Sequence, residues 1–486
     1  MNPLRGIPEM RRSIIGTGRF RQRLAGAVAA LLAAFVWACT ATDQPADIVT
    51  EFKYGAVGTE ETVGVPYWLW VVLPEVFADK LPDRPGNGYE RLGFIYETPT
   101  SELPIGASRS AGWQPRVGLN CATCHAGSYR DAPGAAPAIV LGMPAHQMDL
   151  QAYARFLSAI AKDPRFDAAT LMPAMQKRSG FGVLDGLVYR FFAIPRTKQG
   201  ILDRDRRIAW FDTRPPQGPG RVDTFNPYKA MFAEATNFAI DDTVGTSDLP
   251  SLWNQRMRQG MWLHWDGNNN SVDERNKSAA IGAGATPDSL DLAALDRVAD
   301  WALDLKPPPY PATRIDAALA AAGTLIYRAN CASCHDVGQP RVGQTIDIAE
   351  VGTDPERLRS FTPELVSQMH TIGTGKPWRF SHFRKTNGYA GMPLDGIWLR
   401  APYLHNGSVP TLRALLLLDK RPSRFYRGYD VYDWRGVGFV STGPDAEQQG
   451  VEFDTSLRGN GNAGHVYGRE LSVEDREALL EYLKTL

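Results

Sequence analysis

The sequence predicts a mainly α-helical protein of two loop-rich halves with few strands, and three observations carry that prediction. Apolar residues recur at three- and four-residue spacing over residues 149–162, 166–177, 184–194, 289–305, 315–329 and 471–486. Runs with two-residue alternation are scarce. The 46 Gly and 35 Pro residues exceed what short helix connections need and imply long ordered loops.

Taken in order, the first 39 residues read as a targeting segment. A basic stretch (Arg11, Arg12, Arg19, Arg21, Arg23) precedes an apolar run from Leu24 to Ala38, too short and wrongly flanked for a stable membrane span. Val36-Trp37-Ala38-Cys39 resembles a bacterial lipobox, in which the cysteine becomes the lipidated first residue of the mature protein. The plainer alternative is an ordinary cleaved signal in which Cys39 is incidental. Either way the chain is expected to be exported, to the periplasm or to the outer membrane as an anchored lipoprotein. Residues 63–72, with Pro66, Tyr67, Trp68 and Trp70, are apolar but far short of a span, and are expected to be buried or interfacial.

Lys306-Pro-Pro-Pro-Tyr310-Pro311 is a stiff extended linker in which no helix can continue. It divides residues 45–305 from residues 312–486. The helix expected over 471–486 has Ser472 as its cap, Asp475 to complete a capping box, and Leu479, Leu480, Leu483 and Leu486 as an apolar face.

Charge excludes some functions. Lys+Arg 53 balances Asp+Glu 53, and removal of residues 1–38 leaves 47 basic against 52 acidic side chains. Nothing suggests a nucleic-acid binder. With 43% hydrophobic residues over 486 positions, the chain has material for two or three cores.

Four of the five cysteines fall in two identical motifs, Cys121-Ala-Thr-Cys124-His125 and Cys331-Ala-Ser-Cys334-His335. Two thiols one helical turn apart can add to the two vinyl groups of one porphyrin, and the adjacent histidine then sits beneath the iron as its proximal ligand. A zinc site or a redox disulfide could use the cysteines, but each leaves both histidines unexplained. Two covalently bound haem c groups are therefore expected, one per half. A helix leading into Cys331 and a helix ending the chain look like the cytochrome c fold, in which first and last helices cross beside the haem. The expected class is thus mainly α, with two cytochrome c-like haem domains, long ordered loops and few strands.

Three further stretches carry a family resemblance. They are Leu249-Pro-Ser-Leu-Trp253-Asn with Leu263-His-Trp265-Asp-Gly267, then Pro393-Leu-Asp-Gly-Ile-Trp-Leu-Arg400-Ala-Pro-Tyr-Leu-His405-Asn-Gly407, then Phe453-Asp-Thr and Gly459-Asn-Gly-Asn-Ala-Gly-His465. With the motif spacing, the chain resembles the bacterial di-haem cytochrome c peroxidase/MauG superfamily, and within it proteins similar to the rubber oxygenase RoxA. The resemblance implies a reactive N-terminal haem, a six-coordinate C-terminal haem that passes electrons, and a tryptophan relay between them, at Trp253. It also implies a distal Gln and Glu near the peroxide. Here the Gln position is Leu263, His264 replaces a Phe, and the Glu position falls at Asp273 or Glu274. A less polar distal pocket leans towards dioxygen or simple electron transfer, and His264 could instead ligate the iron.

Eight histidines allow an exhaustive search for the sixth ligands. His125 and His335 are proximal. In the part resembling the rubber oxygenases, His465 is the favoured ligand of the second haem, with Met392 the runner-up. The first haem is expected to be open or closed by His264. His146, His370, His382 and His405 read as surface or hydrogen-bonding residues, and Arg379, Arg384 and Arg400 as candidate propionate partners. Electron transfer is the function expected, with dioxygen or peroxide activation at the first haem. The alternative is a pure carrier with both irons six-coordinate. A periplasmic redox partner or a small oxidant is implied, no nucleic acid is, and membrane contact is expected only through a lipid on Cys39.

Overall fold

The structure, a computed structural model, describes residues 47–486. The targeting segment and Cys39 lie outside the described residues. Pro45–Ser110 and Pro115–Leu486 form one compact unit. Among the described residues no helix is long and apolar enough to cross a membrane, and no strand exceeds four residues.

Helices form where the spacing placed them, with side-chain caps. Asp149 accepts from the Ala152 amide at 2.9 Å and starts Leu150–Lys162. Asp167 accepts from Thr170 at 2.8 Å and starts Ala168–Gln176. These pack on Tyr67–Val76, where the apolar stretch at 63–72 becomes a helix with Leu69, Trp70 and Leu73 buried. The span expected at 184–194 is longer than its periodicity suggests. Val183–Val188 runs through a π-helical turn, Tyr189–Ala193, into Ile194–Arg207. Pro195 directly follows the π-helical turn, at the start of the last segment.

In the second half Asp316 caps Ala317–Asn330, accepting from the Ala318 and Leu319 amides at 3.0 Å, and Ser472 caps Val473–Leu483, accepting from Asp475 at 3.0 Å. The two helices cross at Gly323, where an added methyl group would run into the backbone carbonyl of Ala478. Tyr327 packs on Tyr482 with ring centroids 4.8 Å apart. We expect Gly323→Ala to lower stability by about 1–3 kcal/mol despite alanine's better helix propensity, because backbone cannot yield as a side chain can. A urea midpoint equal to the parent's would contradict this close crossing.

The two halves are sewn together at several points. Tyr310 of the Pro-rich segment is buried against Trp398 and Trp434, and Trp398 Nε1 donates to the Pro308 carbonyl at 3.0 Å. The linker is therefore part of a core and not a free spacer. Arg130 bridges to Val431, and the Arg130 amide donates to Asp430 at 2.8 Å. The buried Arg427 pairs with Asp248 and donates to Gly407 at 2.6 Å and to Pro219 at 3.1 Å. Arg357 and Asp266, 2% and 1% exposed, pair at 2.9 Å across the halves. Arg357 also donates to Thr224 at 2.6 Å and Ser247 at 2.9 Å.

Candidate haem-binding site

Each cysteine motif is one turn of helix, Ala122–His125 and Ala332–His335. Asn120 holds the first: its Oδ1 accepts from the Ala122 amide at 2.9 Å and its Nδ2 donates to Gly55 at 2.9 Å. Immediately afterwards Ala126–Tyr129 pairs antiparallel with Ala138–Leu141. The second motif continues from Ala317–Asn330, with the Cys331 amide donating to Tyr327 at 2.8 Å. All four cysteines are free thiols. Burial pushes Cys121 up to about 11, Cys124 to about 12 and Cys331 to about 11. That is the reverse of the lowered thiol that a redox Cys-x-x-Cys needs. Among the described residues no three His, Cys, Asp or Glu side chains cluster to hold a metal ion, so the pairs do not converge on a zinc site.

Both motif histidines use Nδ1 in the same way. His125 Nδ1 donates to the Pro250 carbonyl at 2.8 Å, and His335 Nδ1 to the Met392 carbonyl at 2.7 Å. This fixes the tautomer and leaves Nε2 as the free base for an iron. His125 retains accessible surface, yet burial among protein groups pulls its imidazole down to about 4. His465 does the same, with a value of about 4 from burial first and then from His335.

The second motif has a partner ring. His335 and His465 have centroids 6.2 Å apart. An iron held between two imidazoles at metal–nitrogen bonds of about 2 Å separates their centroids by about 6.3 Å. The residues therefore fit a haem here. The loop presenting His465 is built for that position. Asn406, fully buried, donates to Gly459 at 3.1 Å and Gly461 at 2.9 Å, and Arg421 donates to the Asn462, Gly464 and His465 carbonyls. This explains why the stretch around His405 and the glycine-rich tail occur together. Met392 presents its carbonyl behind His335, on the ring edge facing away from an iron.

The first motif is different. Among the described residues no aromatic or imidazole ring packs against His125. His264 Nδ1 donates to Asn268 Oδ1 at 2.6 Å, and burial pulls the imidazole down to about 4. It stacks over Phe383 with centroids 6.3 Å apart and keeps Nε2 for another partner. His264 and His465 both have left-handed backbones, φ 62° and 45°, a conformation that costs a non-glycine residue and is kept where surroundings over-determine it.

The carboxylates proposed for the distal face have other partners. Asp273 pairs with Lys277 one turn along the helix Val272–Gly282 and is half exposed. Glu274 is buried and accepts from Asn269 at 3.1 Å, from the Ser381 and His382 amides at 2.7 and 3.0 Å, and from the His382 ring at 2.7 Å. Burial raises its pKa, but those hydrogen bonds outweigh it and hold the carboxyl below its ordinary range. The group that turns inward is the next residue. Arg275 donates to Gln255 at 2.6 Å, and its charge acts on Cys121, His125 and His264. Burial lowers it to about 10, and its guanidinium suits a carboxylate of a haem here. Its position beside two acidic residues on a polar helix gave no sequence signal.

Trp253 is fully buried between the motifs' surroundings. Its Nε1 donates to the Leu141 carbonyl at 2.9 Å, on the hairpin after the first motif. Gly142 and Gly396, both with positive φ, lie flat against the indole, and a Cβ on either would collide with it. Arg400 lies 5.9 Å from its ring; burial first, and then the charge of Arg400, lowers the His335 imidazole. Arg400 itself donates to Pro393 at 3.0 Å and pairs with Asp395 at 2.8 Å. Arg384 donates to Gly267 and Thr345 at 3.2 Å, and Arg379 to His370 at 2.8 Å. Arg400 thus has both terminal nitrogens committed to protein and Arg384 two of its three nitrogens, whereas Arg379 commits only Nε.

The remaining histidines have protein roles. His405 Nε2 bonds Tyr389 Oη at 2.9 Å, and His370 Nε2 bonds the Phe383 carbonyl at 3.0 Å. His146 is buried, stacked on Phe439 at 3.7 Å, and neither ring nitrogen has a hydrogen-bond partner. Burial, then Arg427, pulls it to about 3 from an ordinary 6.5. A lowered imidazole pKa means that stability is full above pH 6.5 and falls as pH drops towards 3, by about 1.4 kcal/mol per unit. His146→Phe is expected to remove that share, so that parent and variant urea stabilities diverge between pH 7 and 5 by about 2 kcal/mol. Parallel curves would show that His146 takes up its proton in the folded state.

Covalent-attachment helices, carbonyl-bound proximal histidines and the crossed helices beside them define a c-type cytochrome, a protein that transfers electrons through covalently bound haem c. The family described as RoxA-like, cytochrome c-like matches residues 388–426, and cytochrome c oxidase, cbb3-type, subunit III matches residues 318–377, which include the second motif. The uncharacterized protein y4iM of Sinorhizobium fredii (strain NBRC 101917 / NGR234) is 32% identical over 301 residues, 52% of this chain and 68% of that protein. The uncharacterized protein y4iJ of the same strain is 27% identical over 552 aligned positions, 87% of this chain and 89% of that one. The chain belongs to the family of y4iM and is a RoxA-like c-type cytochrome.

Proposed function

We propose that the protein is an exported di-haem oxidoreductase. In this reading the haem at Cys121/Cys124/His125 activates dioxygen or peroxide, and the haem at Cys331/Cys334/His335 is closed by His465 and relays electrons past Trp253. The observation that carries it is the asymmetry between the motifs: His335 faces His465 at 6.2 Å, whereas among the described residues no ring packs against His125. Such a pair of sites suits one fixed-ligand iron for electron transfer and one open iron for chemistry. Arg275 supports the first site by holding a positive charge near it. The targeting segment supports export to the periplasm or to the outer membrane through a lipid on Cys39, with a periplasmic redox partner or a small oxidant as the other reactant.

His264, with Nε2 uncommitted, supports the competing reading of a pure carrier with both irons six-coordinate. Electron paramagnetic resonance and optical spectra of the purified protein, with and without carbon monoxide, separate the two. One high-spin haem that binds carbon monoxide beside one low-spin haem is the expected result. Two low-spin haems indifferent to the ligand would overturn the enzyme reading and leave the carrier.

A further inference from the structure

The longest exposed apolar feature among the described residues lies on the helix from Val183 to Arg207. Its inner face is anchored: Tyr189 and Ile194 are buried, and Tyr189 Oη accepts from the Trp68 amide at 3.2 Å. On the outer side Val183 is 85% exposed, Leu184 67%, Leu187 53%, Phe191 62% and Phe192 54%. The first four recur at three- and four-residue spacing, and Phe192 lies beside them through the π-helical turn. Five large apolar side chains on one ridge are more than scattered surface residues, and mark a surface that meets something apolar.

The charge around the ridge identifies what that is. Of the eight basic side chains in residues 177–207, Arg178, Arg206 and Arg207 pair with Glu75, Asp203 and Glu234, and the two beside the ridge are Arg190 and Arg196. Arg190 lies over Phe191 at 5.9 Å and Arg196 over Phe192 at 5.7 Å, so cations flank the apolar ridge directly. An apolar stripe of Leu and Phe rimmed by arginine matches a helix that lies in the interface of an anionic bilayer. A second copy of the chain fits worse, because a two-fold contact across the ridge would bring the arginine rims together.

We infer that the Val183–Phe192 ridge docks the protein flat on an anionic phospholipid surface, the rings and leucines entering the headgroup layer and Arg190 and Arg196 pairing with lipid phosphates. This contact lies beyond the membrane tether expected at Cys39 and does not need it. It is also independent of which haem reacts.

The test uses the haem-loaded protein carrying Cys39→Ser, so that no acyl chain can contribute, and vesicles of phosphatidylcholine with or without phosphatidylglycerol. Flotation with the anionic vesicles, weakened by salt and about tenfold or more weaker on neutral ones, is expected. Phe191→Glu and the pair Arg190→Glu/Arg196→Glu should each lower the binding by about tenfold or more, with the haem spectrum unchanged as the check on folding. No flotation, or flotation unaffected by these substitutions, would overturn the inference. So would a dimer in light scattering that Phe191→Glu splits, since the ridge would then be covered by a second copy.

Discussion

Replacing His465 with alanine is expected to convert the haem of the second motif from a closed, low-spin site to one that binds carbon monoxide. The geometry leaves little alternative. The His465 ring stands 6.2 Å from that of His335, its amide donates to the Val351 carbonyl at 2.7 Å, and Gly464 crosses so close to Gly352 that no side chain fits between. The loop holds the ring in place before any metal bond forms. Removal of the imidazole should open that coordination position fully, and added free imidazole should restore the parent spectrum. Loss of the low-spin signal without rescue would mean that the loop had collapsed. An unchanged spectrum would remove His465 from the iron altogether.

The second large effect is expected at Asp266, in the Trp-Asp-Gly element. Its carboxylate meets Arg357 Nε at 3.2 Å and Nη2 at 2.9 Å, with both side chains almost wholly buried and Arg357 stacked on Phe225 at 4.5 Å. Asp266→Ala would strand a buried guanidinium, which costs about 3–5 kcal/mol. Asp266→Asn, which keeps one acceptor, should cost less. Urea unfolding of the haem-loaded protein measures both, and a loss for Asp266→Ala below about 1 kcal/mol would show that Thr224 and Ser247 suffice to hold Arg357.

These two sites also show how much the sequence discloses. The motif cysteines and histidines are legible because attachment chemistry demands a fixed local spacing. The helices Leu150–Lys162, Ala317–Asn330 and Val473–Leu483 are legible because an apolar stripe and an Asp or Ser cap are both local. Ile194–Arg207 was not, since its many charges mask any stripe. Asp266 has its partner 91 residues away and Arg427 has Asp248 179 residues away, and no local pattern announces such pairs. His465 stood out only through the resemblance: a left-handed histidine among glycines has no periodicity to read. The Pro-rich segment misleads for a related reason, since stiffness is local while the burial of Tyr310 depends on Trp398 and Trp434.

The bridge between Arg130 and Val431 sets a timetable for the growing chain. The hairpin behind the first motif is finished about 300 residues before the strand that covers it has been synthesised, an interval of about 15–60 s at ordinary elongation rates. Through that interval the first pair of thiols stands in a half-built crevice, open to the machinery that must reach it. The second pair waits about half as long, because the helix that crosses beside it, Val473–Leu483, follows Cys334 by about 140 residues.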